Sequence, residues 1–159
     1  MDAILAQWKR ERPDLDVTAL GVMGRLFRAA QLADAELGRG IAQHGLQSGW
    51  FDLLAALRRA GRPFELNPTQ LMATTMLSSG GMTKRLDRLE DAGLVERRPD
   101  PSDRRGTLVG LTKQGRAVVD AALATHVGNE ERLLQPLSAS ERRALDALLR
   151  KLLDGLESG

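Results

Sequence analysis

Within the stretch from Ser78 to Arg88 the chain places Ser78, Ser79, Thr83, Lys84 and Arg88, hydrogen-bond donors of the types that reach base edges and phosphate oxygens. Gly80 and Gly81 between them allow close approach of the backbone to a surface, and the free amides that open a helix favour phosphate. Further on, Arg104 and Arg105 sit in a turn-rich loop bounded by Asp103 and Gly106. An arginine pair at a hairpin tip suits a narrow minor groove, with Asp103 able to fix the loop by pairing with an arginine. The chemistry implied is recognition of double-stranded DNA. Taken alone, the helix also reads as a solvated face, because Asp87, Glu90 and Asp91 offset its positive charge. The paired arginines at the tip favour DNA.

Several elements must position these side chains. Apolar residues at helical spacing predict a first helix over Met1 to Glu11, ended by Arg12-Pro13, and a long second helix from Val17 to His44 capped by Asp16. Ser48 is the expected cap of a third helix, closed by Gly61. Asn67-Pro68 opens a short helix to Thr75. Met76-Leu77 is read as the turn, with Ser78 or Ser79 capping the next helix to Ala92, before Gly93. Two helices joined so closely make a helix-turn-helix. At about 100° per residue, Met82, Leu86 and Leu89 face a core, and Lys84 and Arg88 point the opposite way. Strands are expected at Val95 to Arg98 and Thr107 to Leu111, with the turn residues between them forming the hairpin loop. Thr112 then caps a helix to Leu134, and Ser138 with Glu141 forms a capping box for the last one.

The predicted fold is therefore mainly α with a small β-hairpin wing, a winged helix-turn-helix whose amino- and carboxy-terminal helices form a dimerisation lobe. Residues 1–46 and 113–159 are assigned to that lobe and 47–112 to the DNA-binding lobe. The terminal helices carry more apolar surface than a small winged unit could cover, which predicts a homodimer.

Composition narrows the classes. The 159 residues carry a net charge of +2, a mild bias whose placement matters more than its size. Cysteine is absent, which excludes disulfides and thiol redox sensing. His44 and His126 are the only histidines, and both are read as helix-surface residues. That supply is poor for a zinc site, so no metal or cofactor is expected. No nucleophile–base pair is visible, so no enzyme is expected. Lacking an apolar run of membrane-spanning length or an amino-terminal signal, the sequence is expected to belong to the cytoplasm, with no membrane partner.

The stretch SSGGMTKRLDRLEDAGLVERRPDPSDRRGTLVGLT, Ser78 to Thr112, resembles the signature region of MarR-type winged-helix transcription regulators. That resemblance implies that Arg105 and Arg104 enter the minor groove, while Ser79, Thr83, Lys84 and Arg88 serve the recognition helix. A narrower similarity, to the urate-responsive branch, rests on WKRERPDLD (Trp8 to Asp16), on Asp52 after Trp50-Phe51, and on Arg85 and Arg97. It implies an additional amino-terminal helix and a ligand pocket between the two lobes, lined by Trp8, Asp52, Arg85 and Arg97. The residues themselves support this unevenly. Arg85 lies about 60° from Met82, beside the inward face, where a cation needs an anionic partner. Arg97 and Arg98 face opposite sides of their strand. Asp52 is equally an acid in the first turn of its helix, and Trp8 equally a core anchor. The implied activity is a ligand-responsive repressor released from a pseudo-palindromic operator by a small aromatic anion such as urate. The alternatives are a MarR-type regulator of another phenolic or antibiotic ligand, and a winged-helix interaction module without DNA binding.

Overall fold

The computed structural model describes residues 1–75 and 81–158, with the side chains of Ser48, Arg104 and Arg105 outside that description. The chain begins with helices α1 (Asp2–Glu11), α2 (Thr18–Ala42) and α3 (Ser48–Arg59). A two-residue strand, β1 (Glu65–Leu66), precedes α4 (Pro68–Thr74) and α5 (Met82–Asp91). Strands β2 (Val95–Asp100) and β3 (Asp103–Leu111) form the hairpin, and α6 (Lys113–Leu133) and α7 (Ala139–Glu157) complete the chain. The architecture is a winged helix-turn-helix between helical arms, mainly α with one small antiparallel sheet of order β1-β3-β2.

Local signals explain most boundaries. Asn67 caps α4 by accepting from the Gln70 amide, and the Gln70 side chain accepts from the Asn67 amide in return. Ser138 and Glu141 make the same reciprocal cap on α7. Gly61 and Gly93 follow α3 and α5 with φ of +78° and +69°, the left-handed geometry that ends a helix cheaply only at glycine. Asp16 accepts from the Thr18 amide, although the cap position of α2 itself belongs to Val17.

Three expectations need correction. The cap of α5 is Gly81, at φ +86°, and not Ser78 or Ser79. Those serines, Gly80 and the Met76-Leu77 turn lie outside the described residues. The hairpin strands are longer than expected: regular pairing runs to Pro99 opposite Thr107 and then, after a register shift, Asp100 pairs with Asp103, so the turn is Pro101-Ser102. Asp100 tightens it by accepting from the Ser102 amide and hydroxyl at 2.8 and 2.6 Å. Arg104 and Arg105 consequently lie on the first part of β3, just beyond the tip, and not in an open loop. Finally, β1 adds a third strand to the two expected; two residues pairing with Val109 and Gly110 are too few to leave a periodic signal.

One core underlies the recognition elements. Leu53, Leu54 and Leu57 of α3, Leu71 of α4, Leu89 of α5, Val109 of β3 and Val119 of α6 are fully buried. Each buried Leu contributes about 1.5–3 kcal/mol of transfer free energy. The start of α6 is keyed onto the end of α5: the Thr112 hydroxyl donates to the Gly93 carbonyl at 2.7 Å and accepts the Gly115 amide at 2.9 Å. Gly115 passes so close that a Cβ there would lie 1.8 Å from the Leu94 carbonyl oxygen. On the other side Phe64 is held between the guanidinium groups of Arg58 and Arg116, 5.1 and 5.0 Å from its ring centre, and Asp120 pairs with both arginines. The arms are different. Neither α1 nor α7 buries a single residue, and Phe27, Leu148 and Leu156 stand about two-thirds exposed.

Candidate DNA interface and ligand cavity

The recognition helix α5 divides as its sequence dictates. Met82, Leu86 and Leu89 are buried, Thr83, Lys84, Asp87 and Arg88 are exposed, and Arg85 is half-buried between the two faces. Lys84 and Arg88 are one turn apart and present a cationic line to solvent. Trp50 and Gln47, at the start of α3, close a small cleft of about 230 Å³ against Gly81, Lys84, Arg85 and Arg88. An aromatic face, an amide and three cations surround one space beside the opening turn of the helix.

A larger cleft, about 470 Å³, lies between α3, the end of α4 and α6. Asp52 and Arg59 of α3, Thr75 after α4, and His126 and Glu130 of α6 line it, over an apolar floor that includes Phe51. Burial raises the Asp52 carboxyl above the usual range, and the charges of His126, Arg59 and Arg85 only partly offset this. Arg85 lines the cationic cleft, and its charge acts on Asp52 in the larger one. His126 is not the surface residue expected. Its ring packs on Phe51 with centroids 4.9 Å apart, and its Nε2 lies 3.2 Å from Glu130. Nδ1 is buried without a hydrogen-bond partner among the described residues. His44 is likewise half-buried, its Nε2 2.8 Å from the Thr125 hydroxyl. Only the folding of α6 back over α3 places His126, Glu130 and Asp52 together, and no local pattern in the sequence signals that.

The four residues of the expected ligand set do not share a cavity within one chain. Asp52 and Arg85 are neighbours in charge. Trp8 lies on α1, 44% exposed, and lines neither cleft. Arg97 lies on β2 and turns toward the outer side of α5, where its Nη1 is 2.7 Å from Asp87 and 2.8 Å from Glu90. Arg98 faces the other way and forms a two-pronged pair with Glu65 of β1, one contact measuring 2.8 Å. That pair holds the Glu65 carboxyl below the usual range and ties the outer strands together across Gly110 of β3.

The sequence of residues 44–106 matches the family model described as the MarR family. The HTH-type transcriptional regulator PecS of Dickeya dadantii (strain 3937) is 41% identical over 146 residues, 92% of this chain and 88% of PecS. The chain belongs to the MarR family. Among solved MarR-family structures, a mutant MarR from E. coli complexed with operator DNA is 29% identical. It superposes with a TM-score of 0.73 over 92% of this chain and 97% of that one. BpsR of Bordetella bronchiseptica, a protein whose DNA binding is regulated by 6-hydroxynicotinic acid, is 30% identical with a TM-score of 0.73, covering 84% and 93%. The MarR-family chain is accordingly a DNA-binding transcription regulator and not an enzyme. Among the described residues no helix is long and apolar enough to cross a membrane.

Proposed function

We propose that the protein is a homodimeric repressor, released from a pseudo-palindromic operator by a small aromatic anion of the urate type. The observation that carries this reading is the position of Arg85. It stands on the recognition helix, lines the cationic cleft with Lys84 and Arg88, and lies close enough to Asp52 to act on its charge. An anion bound between the lobes would draw on the same arginine that sits beside the DNA-facing residues. The ligand effect then requires only a preference of a few kcal/mol for a geometry of α5 that fits DNA badly.

In this reading Ser78, Ser79, Thr83, Lys84 and Arg88 serve the major groove, and Arg104 and Arg105 reach the minor groove from beside the tip of the wing. Residues 1–46 and 113–159 form the dimerisation lobe, whose exposed leucines on α7 and Phe27 on α2 need a second chain to cover them. Half-site centres would lie roughly 34–36 Å apart. The ligand set contracts to Asp52 and Arg85 as its core, and Trp8 with Ile4 is assigned to the apolar dimer face. The similarity to BpsR supports a small heteroaromatic acid as the effector class.

The test is a gel shift with the DNA upstream of the protein's own coding sequence, titrated with urate, xanthine and salicylate. Release by urate, blunted in Arg85→Ala and Asp52→Ala with the unliganded affinity largely kept, is the expected result. Release by salicylate alone would assign the protein to another phenolic ligand. Full urate sensitivity in both variants would remove these residues from the ligand site. Arg105→Ala should weaken operator binding without dissociating the dimer; unchanged affinity would take the wing out of the mechanism.

A further inference from the structure

The recognition helix is electrically neutral on its own. Its sequence, MTKRLDRLED, sets Lys84, Arg85 and Arg88 against Asp87, Glu90 and Asp91. Three carboxylates on a helix that must approach phosphates are a liability, because each repels the DNA across a distance comparable to the screening length. Arg97 meets two of the three. One guanidinium nitrogen lies 2.7 Å from Asp87 and 2.8 Å from Glu90, and the arginine is only partly exposed.

The attachment is more than a surface pair. β2 is the outer strand of the sheet, with β3 on its other side, so the amide of Arg97 points away from any strand. Glu90 accepts that amide at 3.1 Å with one oxygen while its second oxygen holds the guanidinium. The same edge is closed two residues further on by Pro99, which has no amide to offer. Glu90 thus replaces a missing strand and joins the last turn of the recognition helix to the wing at two points.

We infer that Arg97 is a positioning residue for DNA binding: it neutralises Asp87 and Glu90 on the recognition helix and docks the wing against that helix. This reassigns Arg97 from the ligand set to the reading head, and it rests on the DNA-binding role of α5 and not on the identity of any ligand. With Arg97 in place the helix and its partner carry one net positive charge; without it they carry none, and both carboxylates stand uncompensated on the helix that approaches the DNA.

The experiment measures binding of the dimer to a labelled operator duplex, at low and at physiological salt, for four proteins. Arg97→Ala should weaken binding roughly fivefold. Adding Asp87→Asn and Glu90→Gln to Arg97→Ala should restore most of that loss, a recovery that damage to packing would not produce. Arg97→Lys keeps the charge without the arginine fork, and should retain more affinity than Arg97→Ala. Binding by Arg97→Ala within twofold of the parent would overturn the inference, as would a loss that the two neutralising changes fail to recover. Should Arg97→Ala not fold, Asp87→Asn in the parent decides: tighter binding supports the electrostatic role, and unchanged or weaker binding refutes it. Hydrogen exchange reads the docking without DNA, since Glu90→Ala should speed exchange of the Arg97 amide, and an unchanged rate would refute the edge contact.

Discussion

Gly115→Ala is expected to damage the junction between α6 and the recognition elements more than any ordinary glycine substitution. A Cβ at this position would lie 1.8 Å from the Leu94 carbonyl oxygen and 2.8 Å from its carbon, where ordinary contact begins at 3.4 Å. The obstacle is backbone, so no side-chain rotation relieves it, and the start of α6 must withdraw by about 1.6 Å. That movement breaks the Thr112 amide bond to Leu94, already 3.2 Å long, and pulls the Thr112 hydroxyl from Gly93. Two hydrogen bonds lost cost about 1 kcal/mol each, and overpacking adds about 1–3 kcal/mol. The better helix propensity of alanine returns up to about 1 kcal/mol. A net loss of roughly 2–4 kcal/mol follows, lowering Tm by about 5–12 °C for a chain of this size. Thermal unfolding at fixed protein concentration measures it, since dimerisation would make Tm concentration-dependent. Gly93→Ala is the comparison: its cost of about 1 kcal/mol comes from the positive φ alone, because the nearest obstacle is the end of a Gln114 side chain at 3.7 Å. If Gly115→Ala melts no lower than Gly93→Ala, the close crossing of α6 over Leu94 is wrong.

Further tests reach the cleft, the wing and the core. Burial raises the Asp52 carboxyl, so its folded form holds a proton more tightly than its unfolded form. Its relative contribution is greatest below the unfolded value and falls as pH rises through the folded one. Asp52→Asn should therefore melt above the parent near neutral pH and converge with it toward about pH 4, a trend that thermal melts across that range would check. The Glu65 carboxyl is lowered by Arg98, giving stability that is present above the unfolded value and lost as pH falls through the folded one. Arg98→Ala should thus shift acid unfolding to higher pH, with a Glu65–Arg98 coupling of about 1 kcal/mol or less in a double-mutant cycle. Leu89→Ala, at a fully buried site under the recognition helix, should cost about 2–5 kcal/mol in urea unfolding.

The parts of the fold legible in the sequence are those set by contacts within a few residues. Asn67-Pro68 with Gln70, Ser138 with Glu141, Thr112 with Gly115, and Gly93 after Ala92 each satisfy or end a helix from inside one turn, so residue type and spacing suffice. The inward face of Met82, Leu86 and Leu89 and the intermediate setting of Arg85 follow from helical geometry alone. Spacing fails where partners come from other elements. The full extent of the hairpin is hidden because Pro99, Asp100 and Asp103 have the composition of loop residues, yet β2 and β3 pair as far as Asp100 opposite Asp103, through a register shift after Pro99.

Residue types by themselves determined that this chain is a winged helix-turn-helix with basic residues exposed on α5, because local capping and a 3.6-residue period are written in single segments. Tertiary structure alone decided what the charges do. Arg97 has a type that suits many roles, and it is clasped by Asp87 and Glu90, since the turn at Gly93 folds β2 back along α5. His126 has the spacing of a surface residue and instead backs the Asp52 cleft, since α6 packs over α3. A side chain's type is local, but the sign and distance of the charge facing it depend on which elements pack together, and electrostatic energy depends on that distance.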